Sequence, residues 1–174
     1  MHHSAFTLLD LLVTLAVAAI VLTVAVPTLA NTLHDARRTA RVNTFVHSAH
    51  LARSEAIKRG VDTVICRSAD ASTCSDAPAA WSAGWIVFVN SDGREPARRD
   101  PTEPLILNYR TPGGTISANR AVFVYRPFGK RATNGTIVFC DHRGSSAARA
   151  VIISYTGRPR VSNKDPSGRP LRCP

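Results

Sequence analysis

The sequence predicts an α+β fold in which one long N-terminal helix, membrane-spanning in its first half and a packing stem in its second, lies against an antiparallel β-sheet. Three observations predict it. Leu11 to Ala30 form a run of twenty residues without a charge, which as a helix rising ~1.5 Å per residue covers the ~30 Å hydrocarbon core of a bilayer. Past this run, apolar residues recur at spacings of three and four. Beyond Gly60 the period changes to two. With 174 residues, 44% of them hydrophobic, and one apolar run of spanning length, the chain is neither wholly disordered nor multi-pass.

The leader Met1 to Ala5 contains neither Lys nor Arg, and its small residue precedes the apolar run, the reverse of a secretory signal cleaved after that run. Asp10 stands at the start of the run, where a carboxylate near hydrocarbon is costly unless paired and so reads as functional. Pro27 removes one helical hydrogen bond and kinks the segment. The helix continues as a stem. Val42, Phe45, Val46, Ala49, Ala52 and Ala56 make one apolar stripe, Arg37, Arg38, Arg41, Arg53, Lys58 and Arg59 occupy the other faces, and Gly60 supplies the C-cap. The alanines permit close approach to a sheet.

Seven strands are expected, over 61–67, 84–89, 105–110, 115–117, 121–125, 136–140 and 150–155, separated by Gly, Pro, Asn, Asp and Ser clusters, with no helix between them. Runs such as WIVFV and AVIISY are too apolar to remain exposed, so the sheet buries a face on the stem. A single curved sheet around the C-terminal half of the helix is the expected arrangement. Trp81 and Trp85 flank a strand entry and are assigned to sheet core or rim.

Several stretches carry a family resemblance. Ala5-Phe6-Thr7-Leu8-Leu9-Asp10-Leu11-Leu12 resembles the class III signal of type IV pilins and type II secretion pseudopilins. The stem end LARSEAIKRG, the strand ending in Cys66 and the strand Trp85 to Val89 are similar to the FimT/GspH group of minor pilins and pseudopilins. Phe139-Cys140 and the segment Ala148 to Arg160, which holds Gly157-Arg158-Pro159-Arg160, resemble the FimT branch and its Gly-Arg-x-Arg signature. The resemblance implies a type IV pilin-like fold, cleavage after Ala5 by a prepilin peptidase and N-methylation of Phe6. It divides the chain into a leader (1–5), the transmembrane half of the helix (6–30) and a globular domain (31–174) whose helical stem is 31–59. Asp10 stands where the family has Glu, the acid that pairs with a neighbouring subunit's N-terminal amine, and Ala5 replaces the usual Gly. The partners implied are other major and minor pilin subunits, the peptidase and the inner membrane. The globular domain is then periplasmic, on a single-pass anchor, and enters a cell-surface pilus.

The topology contains a conflict, because Arg37, Arg38 and Arg41 follow the span and a positive-inside count would leave the globular domain in the cytoplasm. The pilin-like signal and the even cysteine count point the other way. Cys66, Cys74, Cys140 and Cys173 allow three pairings, of which Cys66 with Cys74 and Cys140 with Cys173 is favoured because the first two flank one short polar stretch. No Gly-x-Ser-x-Gly, Walker A, dinucleotide-binding or His-Glu-x-x-His motif occurs. His47 and His50 share a helix face without a third ligand, and Cys140 with His142 lacks zinc-type spacing, so no catalytic residue, cofactor or metal is assigned.

Chemistry concentrates at the basic C-terminal region. Residues 141–174 carry seven Lys+Arg against two acids. Gly157 permits a tight turn, Pro159 biases Arg158 to extended backbone, and Arg158 and Arg160, ~6.6 Å apart along a strand, project to one side as two guanidinium forks. Such a pair suits successive phosphates of a nucleic-acid strand. Lys164, Arg169 and Arg172 follow, and Arg143 and Arg149 precede. The expected function is non-specific binding of extracellular DNA for uptake during natural transformation, with no reaction catalysed. The alternative is a structural GspH-like minor pseudopilin at the tip of a type II secretion pseudopilus.

Overall fold

A computed structural model of the chain describes residues 8–128 and 130–173. Helix α1 covers Leu8–Arg59, and the chain divides into two compact units, the first ending at Arg37 and the second beginning at Arg38. The described residues of the first unit are helix exposing Leu, Val and Ile, long and apolar enough to cross a membrane. Thr14, Thr23 and Thr32 donate their hydroxyls to the carbonyls of Leu11, Ile20 and Thr28, so these polar groups are satisfied within the helix, as a hydrocarbon surrounding requires.

In the second unit eight strands follow: β1 Asp62–Arg67, β2 Gly84–Asn90, β3 Leu105–Arg110, β4 Thr115–Ala118, β5 Val122–Tyr125, β6 Gly135–Cys140, β7 Arg149–Ile153 and β8 Pro159–Ser162. Short 3-10 helices at Pro78–Ser82 and Gly144–Ala147 interrupt them, where no helix was expected. The strands form two antiparallel sheets rather than one, ordered β3-β2-β1-β5 and β4-β6-β7-β8. Turn signals mark where strands end but carry no information on which strands pair, which is why one sheet was expected. Strand β8 was missed for another reason. Pro159 lacks the N–H that a central strand donates, and it is accommodated here because it opens an edge strand.

The stem stripe is the centre of the core. Phe45, Ala49, Ala52 and Ala56 are fully buried, together with Trp81, Trp85, Phe123, Phe139, Ile137, Val151 and Ile153 from the 3-10 helix and both sheets. The Phe45 ring meets those of Trp81, Trp85, Phe123 and Phe139 edge-on, with centroids 5.3 to 6.2 Å apart. Both indoles find acceptors: Trp85 Nε1 donates to Ser48 Oγ at 2.9 Å, and Trp81 Nε1 to the Arg120 carbonyl at 3.1 Å. Cys66 is bonded to Cys74 and Cys140 to Cys173.

Arg38 and Arg41 do not lie on an open face of the stem. Both are buried, Arg41 donating to the Gly113 carbonyl and Arg38 lying 3.5 Å from the Asp141 carboxylate. Asp141 also accepts two bonds from the Arg143 guanidinium. The Arg143 hydrogen bonds, outweighing partial burial, hold its carboxyl down at about 2.

Replacing Phe45 with Ala should lower the unfolding free energy by about 3–5 kcal/mol. Urea unfolding of the detergent-extracted protein, followed by the fluorescence of the tryptophans that Phe45 touches, measures this; a loss under ~1 kcal/mol would deny the stem its place as core. Because the folded pKa of Asp141 lies below its unfolded value, its stabilisation is complete above ~4 and disappears as pH falls through about 2. Asp141→Asn should therefore cost up to ~2 kcal/mol at neutral pH and flatten the stability profile between pH ~4 and ~2. Parallel acid titrations of the two proteins check it.

Candidate nucleic-acid interface

The basic C-terminal region is built on the free edge of the second sheet. Register pairs Ile153 with Pro159, Ile152 with Arg160 and Ala150 with Ser162. The turn that precedes β8 is closed by the Gly157 N–H donating to the Ser154 carbonyl at 2.8 Å, and the Ser154 N–H donates to the Arg158 carbonyl at 3.2 Å. The Arg158 N–H reaches the Ser154 hydroxyl. Arg158 thus stands opposite Ser154 and Arg160 opposite Ile152, on one face of the edge, since alternate residues of a strand share a side. Both are exposed.

Gly157 makes this turn. Its φ is +74°, and an added Cβ would lie 3.1 Å from Tyr125 Cε1 and 3.2 Å from Ala132 Cβ. A side chain there is strained by conformation and by contact together. Gly157 is accordingly a positioning residue for the arginines, buried while they are exposed.

The tail folds back over the same face of the sheet. Leu171 is buried against Cys140, Ala148 and Ala150, with Ile152 and Cys173 beside them. Lys164 bridges to Pro170, and Asp165 accepts from the Arg169 N–H and its Nε, both at 2.9 Å. The Arg169 backbone bond holds the Asp165 carboxyl below the usual carboxylate range, so the acid stays charged and balances Arg169. An open groove of about 820 Å³ separates residues 165–172 of the tail from Asn119, Thr136 and Val138.

The other two cations proposed from sequence stand apart. Arg143 is bound to Asp141 through both ends of its guanidinium. Arg149 pairs with Phe139 across β6 and β7, which places it on the helix-facing side of the sheet, opposite to Arg158 and Arg160; its guanidinium donates to the Ala148 carbonyl. Among the described residues, Arg158, Arg160, Lys164 and Arg172 enter no ion pair. The uncompensated charge is therefore narrower than the charge count of the segment suggests.

Sequence reading passed over a neighbouring group. Arg131 lies over the Tyr155 ring at 5.7 Å, which puts a further cation beside the turn. Phe128, two residues past the Arg126 that β5 leads into, is 89% exposed. An aromatic set among Arg126, Lys130 and Arg131 between two strands is the signal that would have found it. At the other end of the chain, Asp10 lies in the first turn of α1, whereas Ala5, Phe6 and the proposed leader 1–5 fall outside the described residues.

Two comparisons with known proteins accord with the fold. The model of the family described as type II transport protein GspH matches residues 41–157. Crystal structures of the type IV minor pilin FimU of Pseudomonas aeruginosa strain PAO1 are similar in fold. One gives a TM-score of 0.54 at 17% identity over 78% of this chain and 98% of FimU, and a second crystal form gives 0.50 at 18% identity over 78% and 93%. No curated protein matches the sequence. Family and fold are those of structural pilin proteins rather than enzymes. The family match stops at Gly157, so Arg158, β8 with Arg160, and the disulfide-tied tail lie beyond it. By its stem, its paired sheets and the match over 41–157, the chain belongs to the GspH family and has the fold of a type IV minor pilin.

Proposed function

We propose that this GspH-family pilin binds DNA without sequence preference through the exposed face of β8 and its tail, and serves DNA uptake in natural transformation. One observation carries the reading. Arg158, which leads into the edge strand β8, and Arg160 within it are both exposed and, with Lys164 and Arg172, lack any ion-pair partner among the described residues. Two unbalanced guanidinium forks two residues apart provide charge-assisted bonds to phosphate oxygens and no means of reading bases. Arg143, Arg149 and Arg169, held by their own contacts, contribute less. The apolar half of α1 anchors the protein in the inner membrane with its globular domain in the periplasm. After cleavage at Ala5 and methylation of Phe6, Asp10 pairs with a neighbouring subunit as the protein joins a cell-surface pilus.

The family match favours a second reading, a structural subunit of a type II secretion pseudopilus whose partners are other pseudopilins. DNA affinity separates the two. Fluorescence anisotropy of a labelled duplex with the detergent-solubilised protein should give micromolar affinity that falls steeply with salt. Engagement of about four phosphates gives a slope of log K against log salt near about −3.6. Arg158→Ala or Arg160→Ala should weaken binding to all sequences alike and make the slope shallower by about one, and Arg158→Lys should give an intermediate loss. Equal affinity of wild type and the Arg158→Ala/Arg160→Ala double variant removes these residues from the mechanism. Absence of binding at low salt favours the pseudopilin.

A further inference from the structure

Beside the Gly157 turn, a pocket of about 250 Å³ opens between the end of the stem and the loop that follows β5. Its walls include Arg53 from α1, Tyr125 and Arg126 at the end of β5, Phe128 and Lys130 from the loop, and Thr156 from the turn itself. The charges are unequal in kind. Arg126 is balanced, 2.9 Å from Glu95 and 3.7 Å from Asp62. Arg53 and Lys130 enter no ion pair among the described residues. The pocket therefore carries two unbalanced positive charges in a concave site.

Two further observations point to what it holds. Tyr125 is 1% exposed, and its hydroxyl has no hydrogen-bond partner among the described residues. A buried hydroxyl without a partner costs free energy, and it leaves a polar group in a residue of the pocket wall. Burial raises the Tyr125 pKa, and the nearby Arg53 opposes that only in part, so the hydroxyl keeps its proton and remains a donor. At the rim stands Phe128, 89% exposed and flanked by cations. A lone exposed apolar residue is ordinary, but an aromatic face beside an unbalanced cationic pocket is what an unpaired base stacks on while its phosphate is bound.

We infer that this pocket and Phe128 form a nucleotide-sized site for an unpaired DNA strand, Arg53 and Lys130 holding one phosphate and Phe128 stacking on the adjacent base. The inference rests on the DNA-binding reading above and gives it a strand preference: duplex phosphates reach the β8 arginines, whereas Phe128 engages a base only where the strand is open. Thr156 in the pocket and Arg158 two residues later put the two sites next to one turn.

The test is anisotropy of the full-length protein in nonionic detergent with a short oligothymidylate and, separately, a blunt duplex of equal length. Phe128→Ala should weaken the oligothymidylate about tenfold, the lower part of the range for loss of one stacked base, and change duplex affinity less than about twofold. Arg53→Gln/Lys130→Gln should make the oligothymidylate salt slope shallower by about 0.7. If Phe128→Ala changes neither ligand, or both equally, while Arg158→Ala/Arg160→Ala still weakens binding, the pocket inference fails and the β8 reading stands. If Phe128→Ala acts on the single strand alone and the β8 double variant binds as wild type, the β8 reading fails and the pocket stands. No binding of either DNA by the wild type overturns both.

Discussion

The seating of Phe45 and the Ala49, Ala52 and Ala56 stripe is the contact on which the rest of the globular unit depends. Three alanines bring sheet side chains close to the helix axis, and Phe45 fills the space where the two sheets and the 3-10 helix converge. Residues of both sheets, Trp85 and Phe123 from one and Phe139 and Val151 from the other, bury their inner faces in the same cluster as this stripe. The two disulfides lie away from this contact, tying a loop to β1 and the tail to β6, so they restrain periphery rather than create the core.

From that seat a chain of contacts leads outward to the candidate interface. Val151 and Ile153 of β7 face the stem, which fixes the register of β7 and through it the register of β8. Register decides which side chains this edge exposes, because sliding a strand by one residue would turn Arg158 and Arg160 toward the helix and Pro159 outward. Tyr125 and Ala132 press on Gly157, and Leu171 with Cys173 holds the tail on the outer face. The interface is an exposed edge over a rigid support, suited to contact with a long anionic polymer rather than to enclosing a small ligand.

Much of this was legible in the sequence, and apart from β8, hidden by Pro159, the parts that were not share one cause. The spanning run, the stem stripe, seven strands and the Gly157 turn follow from local pattern. The existence of two sheets does not, since it depends on which strands pair. Nor does the fate of individual cations: Arg38 and Arg41 look like solvated stem residues yet are buried against Asp141 and Gly113, and Arg143, Arg149 and Arg169 look like Arg158 yet are bound within the chain. Charge counts register residues, whereas availability depends on partners that only the fold supplies. The Phe128 pocket was missed for the same reason, because Arg53 and Lys130 are far apart in sequence and neighbours only across the folded unit.

The central claim is that DNA covers the β8 arginines, and arginine-selective chemical modification tests it at the residues themselves. The detergent-solubilised protein is treated with phenylglyoxal at low salt, with and without saturating duplex DNA, and adduct yield at each arginine is read by peptide mass spectrometry. Arg158 and Arg160 should be protected several-fold by DNA, while Arg94, which is exposed and paired with Asp92, should react alike in both samples. Equal modification of Arg158 and Arg160 with and without bound DNA would contradict the account.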